Sequence, residues 1–327
     1  MTKRVAAIDC GTNSLRLLIA DVDVERRTLT DVERRMEIVR LGQGVDATGM
    51  LAPEALDRTL RMLAEYAKQI DAADVSAVRM VATSATRDAR NAADFSAGVQ
   101  SALRIAPEVI SGGEEARLSF AGATAELAAA ANSAGRQPVP PYLVVDIGGG
   151  STEFVLGGNG LEGAADLAAI SVDIGCVRLT ERHLHSDPPT AAQVQAATED
   201  IDLALDNVAG AVAVQDARTL VGLAGSVTTV TAVALGLPVY DPARTHHARI
   251  SAEAVHAVTI RLLSQTREQR AAIGPMHPGR VDIIGAGALV LDRIMQRFGF
   301  AEMVASEHDI LDGIAWALAA RGPGCSA

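Results

Sequence analysis

The strongest constraint on this chain is a pattern that occurs twice. VAAIDCGTNSLRLLIADV, around Asp9, and YLVVDIGGGSTEFVLGGN, around Asp146, each run from an apolar segment into Asp-x-Gly, a small-polar turn and a second apolar segment. Placing Asp9 on Asp146, 137 residues further on, also places Gly11 on Gly148 and Ser14 on Ser151. Short apolar runs joined by a turn of small residues predict a β-hairpin with an acidic residue at the end of its first strand. One such turn is commonplace in loops without any ligand. Two at a domain-sized interval predict a duplicated domain, with the hairpins facing each other across a cleft, and 327 residues suffice for two such domains.

A Gly- and Ser-rich turn after a buried strand offers backbone N–H groups and hydroxyls at close range, which suits phosphate oxygens, and a strand-end aspartate suits a cation. The net charge of −11 opposes binding to nucleic acid or anionic membranes, which depends on a basic surface. It equally repels a polyphosphorylated substrate, so arginines, amides and a bound cation must compensate locally.

Between and beyond the hairpins the chain reads as mixed α/β. Helices are expected over 53–70, 92–103 and 116–131, and short strands over 78–82 and 109–110, with Thr83 to Thr86 as a polar turn. Residues 132–141 carry Gly135 and three prolines, the composition of a linker. From Thr219 to Tyr240 there is no charge, a length that resembles a membrane span. Gly222, Gly225, Ser226 and Pro238 interrupt it, so a buried strand, a turn and a helix start fit better. Cys10, Cys176 and Cys325 make neither a disulfide framework nor a ligand spacing, and the N-terminus lacks the apolar core of a signal peptide. A cytoplasmic, soluble protein is the expectation.

Six motifs, DCGTNS (9–14), TSATRDA (83–89), SGGEEA (111–116), DIGGGSTE (146–153), GCVR (175–178) and GLAGS (222–226), together resemble the exopolyphosphatase and guanosine pentaphosphate phosphatase (Ppx/GppA) family. The resemblance spans nearly the whole chain and includes GRVDIIGAGA (279–288) and SEHDILDG (306–313). It implies two ribonuclease-H-like domains of the actin and Hsp70 type, each a mixed five-stranded sheet flanked by helices, with an interdomain cleft. The expected domains are residues 1–131 and 132–305, with 306–327 a C-terminal helix returning to the first domain.

The resemblance also implies roles. Glu115 matches the general base that activates a water, and Arg87 an arginine that reaches substrate phosphates. Asp146 and Glu153 would hold Mg²⁺, with Mn²⁺ as its substitute, and Asp9 would contribute from the other domain. Thr12, Asn13 and Ser14 on one side, and Gly148, Gly149, Gly150 and Ser151 on the other, would hold phosphate oxygens, with Gly225 and Ser226 as further contacts. Glu114 competes with Glu115, since both fall in a helical first turn where negative charge is favoured regardless of chemistry. Spacing alone leaves that choice open; the resemblance assigns catalysis to Glu115.

Arg178, with Arg244, His246, His247 and Arg249, reads as a basic track for following phosphates. The adjacent histidines also invite zinc, but no third ligand stands at helical or hairpin spacing. No Ser-His-Asp or Cys-His constellation points to covalent catalysis, and Cys10 is expected to pack inward. The implied reaction is release of terminal phosphate from inorganic polyphosphate by a homodimer, with guanosine pentaphosphate as the alternative substrate. A kinase or a non-catalytic nucleotide-binding scaffold are the more distant readings.

Overall fold

The computed structural model describes residues 1–127, 137–158 and 167–321. The chain divides into two compact units, one of Met1–Gly122 with the chain from Ile310 onward, the other of Ala123–Asp309. The boundary expected at 131/132 and the end of the expected 116–131 helix lie outside the described residues.

In the first unit β1 (Lys3–Cys10), β2 (Ser14–Asp23) and β3 (Thr28–Ile38) form an antiparallel meander. There follow α1 (Val45–Thr48), α2 (Pro53–Ala72), β4 (Ala77–Ala82), α3 (Ser84–Asp88), α4 (Ala92–Leu103), β5 (Glu108–Val109) and α5 (Gly112–Thr124). β4 lies parallel to β1 and β5 parallel to β4, so the sheet runs β3-β2-β1-β4-β5. The polar segment expected as a turn at Thr83–Thr86 instead opens directly into α3.

The second unit repeats that plan. β6 (Tyr142–Ile147), β7 (Thr152–Gly157) and β8 (Ala168–Val172) form the meander. α6 (Cys176–His183), α7 (Ala191–Ala211), β9 (Thr219–Leu223), α8 (Ala224–Ala234), α9 (Pro242–Thr245), β10 (Arg249–Ser251), α10 (Ala252–Ser264), α11 (Arg267–Ala271), α12 (Ile284–Phe298) and β11 (Glu302–Ala305) follow. Its sheet runs β8-β7-β6-β9-β11-β10. The first five strands reproduce the order of the other sheet; the sixth, β10, corrects the expectation of five strands in each. β10 is three residues long and pairs antiparallel with β11 at the edge, too short to carry a period-2 signal.

The duplication extends to the packing. Ala6, Ile8 and Cys10 of β1 and Leu17 and Ile19 of β2 are buried on one sheet face against Leu63, Tyr66 and Ile70 of α2. The residues 137 positions later, Leu143, Val145, Ile147, Phe154 and Leu156, are buried in the second core with Ile201, Leu205 and Val208 of α7. α2 starts on Pro53 at its first position, and its inward residues Ala55, Thr59, Leu63, Tyr66 and Ile70 recur every three or four positions, the stripe a helix needs to cover a sheet. α7 opens with a capping box between Thr190 and Gln193. The uncharged Thr219–Tyr240 stretch resolves into β9 and α8, and among the described residues no helix is long and apolar enough to cross a membrane.

After β11 the chain returns to the first unit as α13 (Ile310–Ala320), which packs on β1, β2 and β4. Gly313 is required there, because a Cβ would stand 2.0 Å from the Leu118 carbonyl oxygen. The helix carries a buried carboxylate, Asp312, which accepts hydrogen bonds from Arg34 of β3 at 2.5 and 3.4 Å. Removing one partner of such a pair strands a charge away from water. Arg34→Leu is therefore expected to lower unfolding stability by about 3 kcal/mol, and Arg34→Leu with Asp312→Leu to recover most of it, read by denaturant melts.

Candidate active site

The chemistry-bearing motifs of the first unit sit at adjacent strand ends. Thr83 N–H donates to the Cys10 carbonyl at the end of β1, and Ile110 N–H to the Ala82 carbonyl at the end of β4. The turn after Asp9, the Thr83–Arg87 segment and the Ser111–Glu115 segment thus emerge side by side from β1, β4 and β5. Such carboxyl ends of parallel strands are where α/β sheets place ligands. The second unit matches, with the 148–151 turn, Ala224–Ser226 and Ser306–Asp309 following β6, β9 and β11.

The two turns are built alike. Gly11 N–H donates to the Ser14 carbonyl at 3.0 Å, and Gly148 N–H to the Ser151 carbonyl at 3.0 Å. In each, the remaining carbonyls are taken up by main chain that follows the third strand. Asn13 O accepts from the Val39 and Arg40 amides and Thr12 O from Gly42; Gly148 O accepts from Cys176 and Gly149 O from Val177 and Arg178. Among the described residues the amides of Thr12, Asn13, Gly149 and Gly150 donate to no main-chain group. A turn with its carbonyls engaged and its amides unclaimed is an anion cradle. Two hydroxyls add to the first: Thr12 Oγ1 and Thr86 Oγ1 are buried without a partner. A Cβ on Gly42 would meet the Thr12 and Ala85 side chains, so the turn and the start of α3 are in close contact.

The acidic residues part company between the units. Asp9 lies directly opposite Arg16, which donates Nε and a terminal nitrogen to its Oδ2 at 2.9 and 2.8 Å. Asp146 occupies the equivalent place, but opposite it stands Glu153. Residues facing each other across an antiparallel pair share a sheet face. The second unit thus brings two carboxylates together, only 7% and 1% exposed, where the first has a carboxylate and a guanidinium. Ser151 and Ser171 each donate a hydroxyl to Glu153 Oε1 at 2.7 Å, which fixes that carboxylate.

Glu115 and Arg87 meet. Arg87 donates to Glu115 Oε2 at 3.2 Å and to the Ile110 carbonyl at 3.0 Å. α5 begins at Gly112, so both glutamates do fall in its first turn. They face different ways: Glu114 is 41% exposed and within 4 Å of Arg79 and Arg117, whereas Glu115 is buried against Arg87. Cys10 packs inward, and burial pushes its thiol well above the ordinary range, so it offers no thiolate.

Two expectations need correction. Arg178 extends no basic track, because it is buried and its Nε donates to the Gly150 carbonyl at 2.7 Å; it completes the engagement of carbonyls behind the turn. Arg249 pairs with Glu302 at 2.6 Å, which leaves Arg244 as the exposed arginine of that group. Gly225 and Ser226 lie in the first turn of α8. The guanidinium of Arg280 covers Gly225, where a Cβ would stand 2.3 Å from it, and also bonds the Thr229 hydroxyl. Sequence reading passed over Arg280 as a site residue, since only the fold carries it back over α8.

A profile of the Ppx/GppA phosphatase family matches residues 18–320. The chain belongs to the Ppx/GppA phosphatase family. Exopolyphosphatase 2 of Mycobacterium tuberculosis is 50% identical over 97% of this chain and 98% of its own length. A solved exopolyphosphatase-like protein superposes with a TM-score of 0.90 at 42% identity, covering 97% of this chain and 98% of that one. A crystal structure of the Aquifex aeolicus Ppx/GppA family member follows at a TM-score of 0.79 and 29% identity, covering 98% of each chain.

In this Ppx/GppA chain the shape of the 148–151 turn depends on Gly175, where a Cβ would lie 2.3 Å from the Gly149 carbonyl carbon and oxygen. Gly175→Ala is expected to cut phosphate release at least tenfold while far-UV circular dichroism stays unchanged, since the displaced atoms belong to the turn and not to the core.

Proposed function

We propose that this chain is an exopolyphosphatase that releases orthophosphate from the end of inorganic polyphosphate. The observation that carries the reading is the Arg87–Glu115 pair at the strand ends of the first unit, beside a turn with unclaimed amides. The name of the whole-length mycobacterial relative supports the same substrate. In the reaction a water oxygen bonds to the terminal phosphorus as the bridging P–O bond breaks, with attacking and leaving oxygens in line. Glu115 takes the proton of that water, and the shortened chain leaves with the bridging oxygen. Arg87 orients the Glu115 carboxylate and draws a phosphate oxygen towards it. The amides of Thr12 and Asn13 in the first unit, and those of Gly149 and Gly150 in the second, are each suited to receive phosphate oxygens, a task for which the protein's −11 charge leaves few alternatives.

Asp146 and Glu153 fit a hard divalent cation. Both are buried carboxylates on one sheet face, oxygen donors suited to Mg²⁺ or Mn²⁺, and their like charges favour a cation beside them. An ion held by these two carboxylates would supply positive charge to offset that of phosphate oxygens. Asp9 is the weaker candidate of the three carboxylates, because Arg16 already balances it. Ser151 serves by fixing Glu153, while Ser14 in the first unit and Gly148, Gly225 and Ser226 in the second are the further phosphate contacts of this reading. A cytoplasmic homodimer belongs to the same reading, carried by the family resemblance.

Phosphate release from polyphosphates of defined length, beside guanosine pentaphosphate and ATP, with and without Mg²⁺, tests the proposal. Polyphosphate is expected to be the preferred substrate and Mg²⁺ to be required. Glu115→Gln should lower kcat by a factor of about 10² to 10⁴ with KM little changed; near-normal turnover in that variant sinks the mechanism. Asp146→Asn and Glu153→Gln should raise the Mg²⁺ concentration needed for half-maximal rate.

A further inference from the structure

The second unit carries a cluster of metal-competent side chains that the proposed reaction does not use. Glu126, His246 and His308 each present a ligand atom, and these atoms all lie within 4.8 Å of one another. The three come from remote parts of the chain: Glu126 just beyond α5, His246 at the end of α9, His308 just beyond β11. Ordinary structure accounts poorly for their convergence. The His308 Nδ1 to Glu126 Oε2 separation is 3.7 Å with both side chains partly exposed, a loose pair of little value to stability. The His246 ring also packs on His308 at 4.5 Å and on His247 at 3.6 Å.

His247 supplies an independent sign. It holds a left-handed backbone conformation, φ 59°, that costs a β-substituted residue energy. Its buried Nε2 has no hydrogen-bond partner, and an unsatisfied buried polar atom calls for a reason, an ion or its water among them. Position strengthens the case: Glu126 is the fourth residue after the chain enters the second unit, and His308 is the last but one before it leaves. An ion on both would clasp the entering and leaving segments to α9.

We propose that Glu126, His246 and His308 form a second cation site, selective for a divalent transition-metal ion such as Zn²⁺ and separate from the Asp146–Glu153 pair. Two imidazoles and one carboxylate are the donor set of borderline ions, whereas Mg²⁺ prefers oxygen alone. In the metal-free chain His246 Nδ1 accepts the Glu307 N–H at 3.1 Å. Coordination through this ring exchanges that neutral hydrogen bond for a metal bond, either at Nδ1 directly or at Nε2 after the ring proton moves. The remaining coordination positions are open to water or a small anion. The sequence hides the site because the other two ligands, His308 and Glu126, stand 62 and 120 residues from His246 in opposite directions.

The test uses the full-length, tag-free protein, stripped with a chelator and kept in millimolar Mg²⁺ to fill oxygen-only sites. Zn²⁺ is titrated in competition with a chromophoric chelator, and Co²⁺ binding is followed by its visible absorption. One equivalent is expected to bind tightly, with intense Co²⁺ bands of low coordination number. Glu126→Gln and His308→Gln should each weaken it at least tenfold, and Asp146→Asn should leave it unchanged. Both altered residues are partly exposed, and circular dichroism melts establish that each variant is folded. Wild-type protein that takes up no Zn²⁺ under these conditions overturns the proposal. So does an equivalent that survives both cluster variants or disappears in Asp146→Asn, and neither result touches the polyphosphate reading.

Discussion

An acidic protein that holds a polyanion needs local positive groups, and in this molecule the share supplied by main-chain dipoles depends on where the turn carbonyls go. Gly148, Gly149 and Gly150 all have their carbonyl oxygens engaged from behind, by the Cys176, Val177 and Arg178 amides and by the Arg178 side chain. Thr12 and Asn13 are engaged likewise by the chain from Val39 to Gly42. With the acceptors satisfied, the amides are the polar groups left to claim. The engagement needs the backbones to touch, which is why glycine stands at 42 and at 175, where a Cβ would overlap Thr12 or Gly149.

On this shared frame the two units have been given opposite electrostatics by one cross-strand position. Arg16 and Glu153 stand at equivalent places, 137 residues apart, each opposite an aspartate. Arginine there turns Asp9 into half of an internal ion pair, which is self-sufficient. Glutamate there places two buried carboxylates on one sheet face, where like charges favour a neighbouring cation or a shared proton. The duplication therefore supplies one geometry with two different charge arrangements. A basic track does not offset the −11 charge, since two of the arginines in that track are spent on Gly150 and Glu302.

Much of this was legible in the sequence, for reasons particular to each element. The hairpins were readable because Asp-x-Gly and alternating apolar residues recur in register, and the same register reappears in the two cores as Ile8 with Leu17 and Val145 with Phe154. The 53–72 helix was readable from Pro53 and its apolar stripe. β10 was not, being three residues whose only structural reason is the edge of β11. Nor was the fate of Arg178, because a guanidinium looks the same in a sequence whether it reaches solvent or a buried carbonyl. Arg280 and the Glu126–His246–His308 cluster were hidden for a third reason, that contacts between distant segments leave no spacing to recognise.

The choice between Glu114 and Glu115 shows where local rules stop. Both satisfy the helix dipole equally, since both occupy the first turn of α5. The 100° step between successive helical residues separates them, turning Glu114 towards Arg79 and Arg117 and Glu115 towards Arg87. Glu108 also binds Arg79, through two hydrogen bonds from Nε and one from a terminal nitrogen, so Glu114 joins a network around a buried arginine that is complete without a substrate. Arg87 is anchored by the Ile110 carbonyl at the strand end. A carboxylate fixed by a guanidinium that is itself fixed to the sheet loses little entropy when it meets a water, which is the property that a base aligned for in-line attack requires.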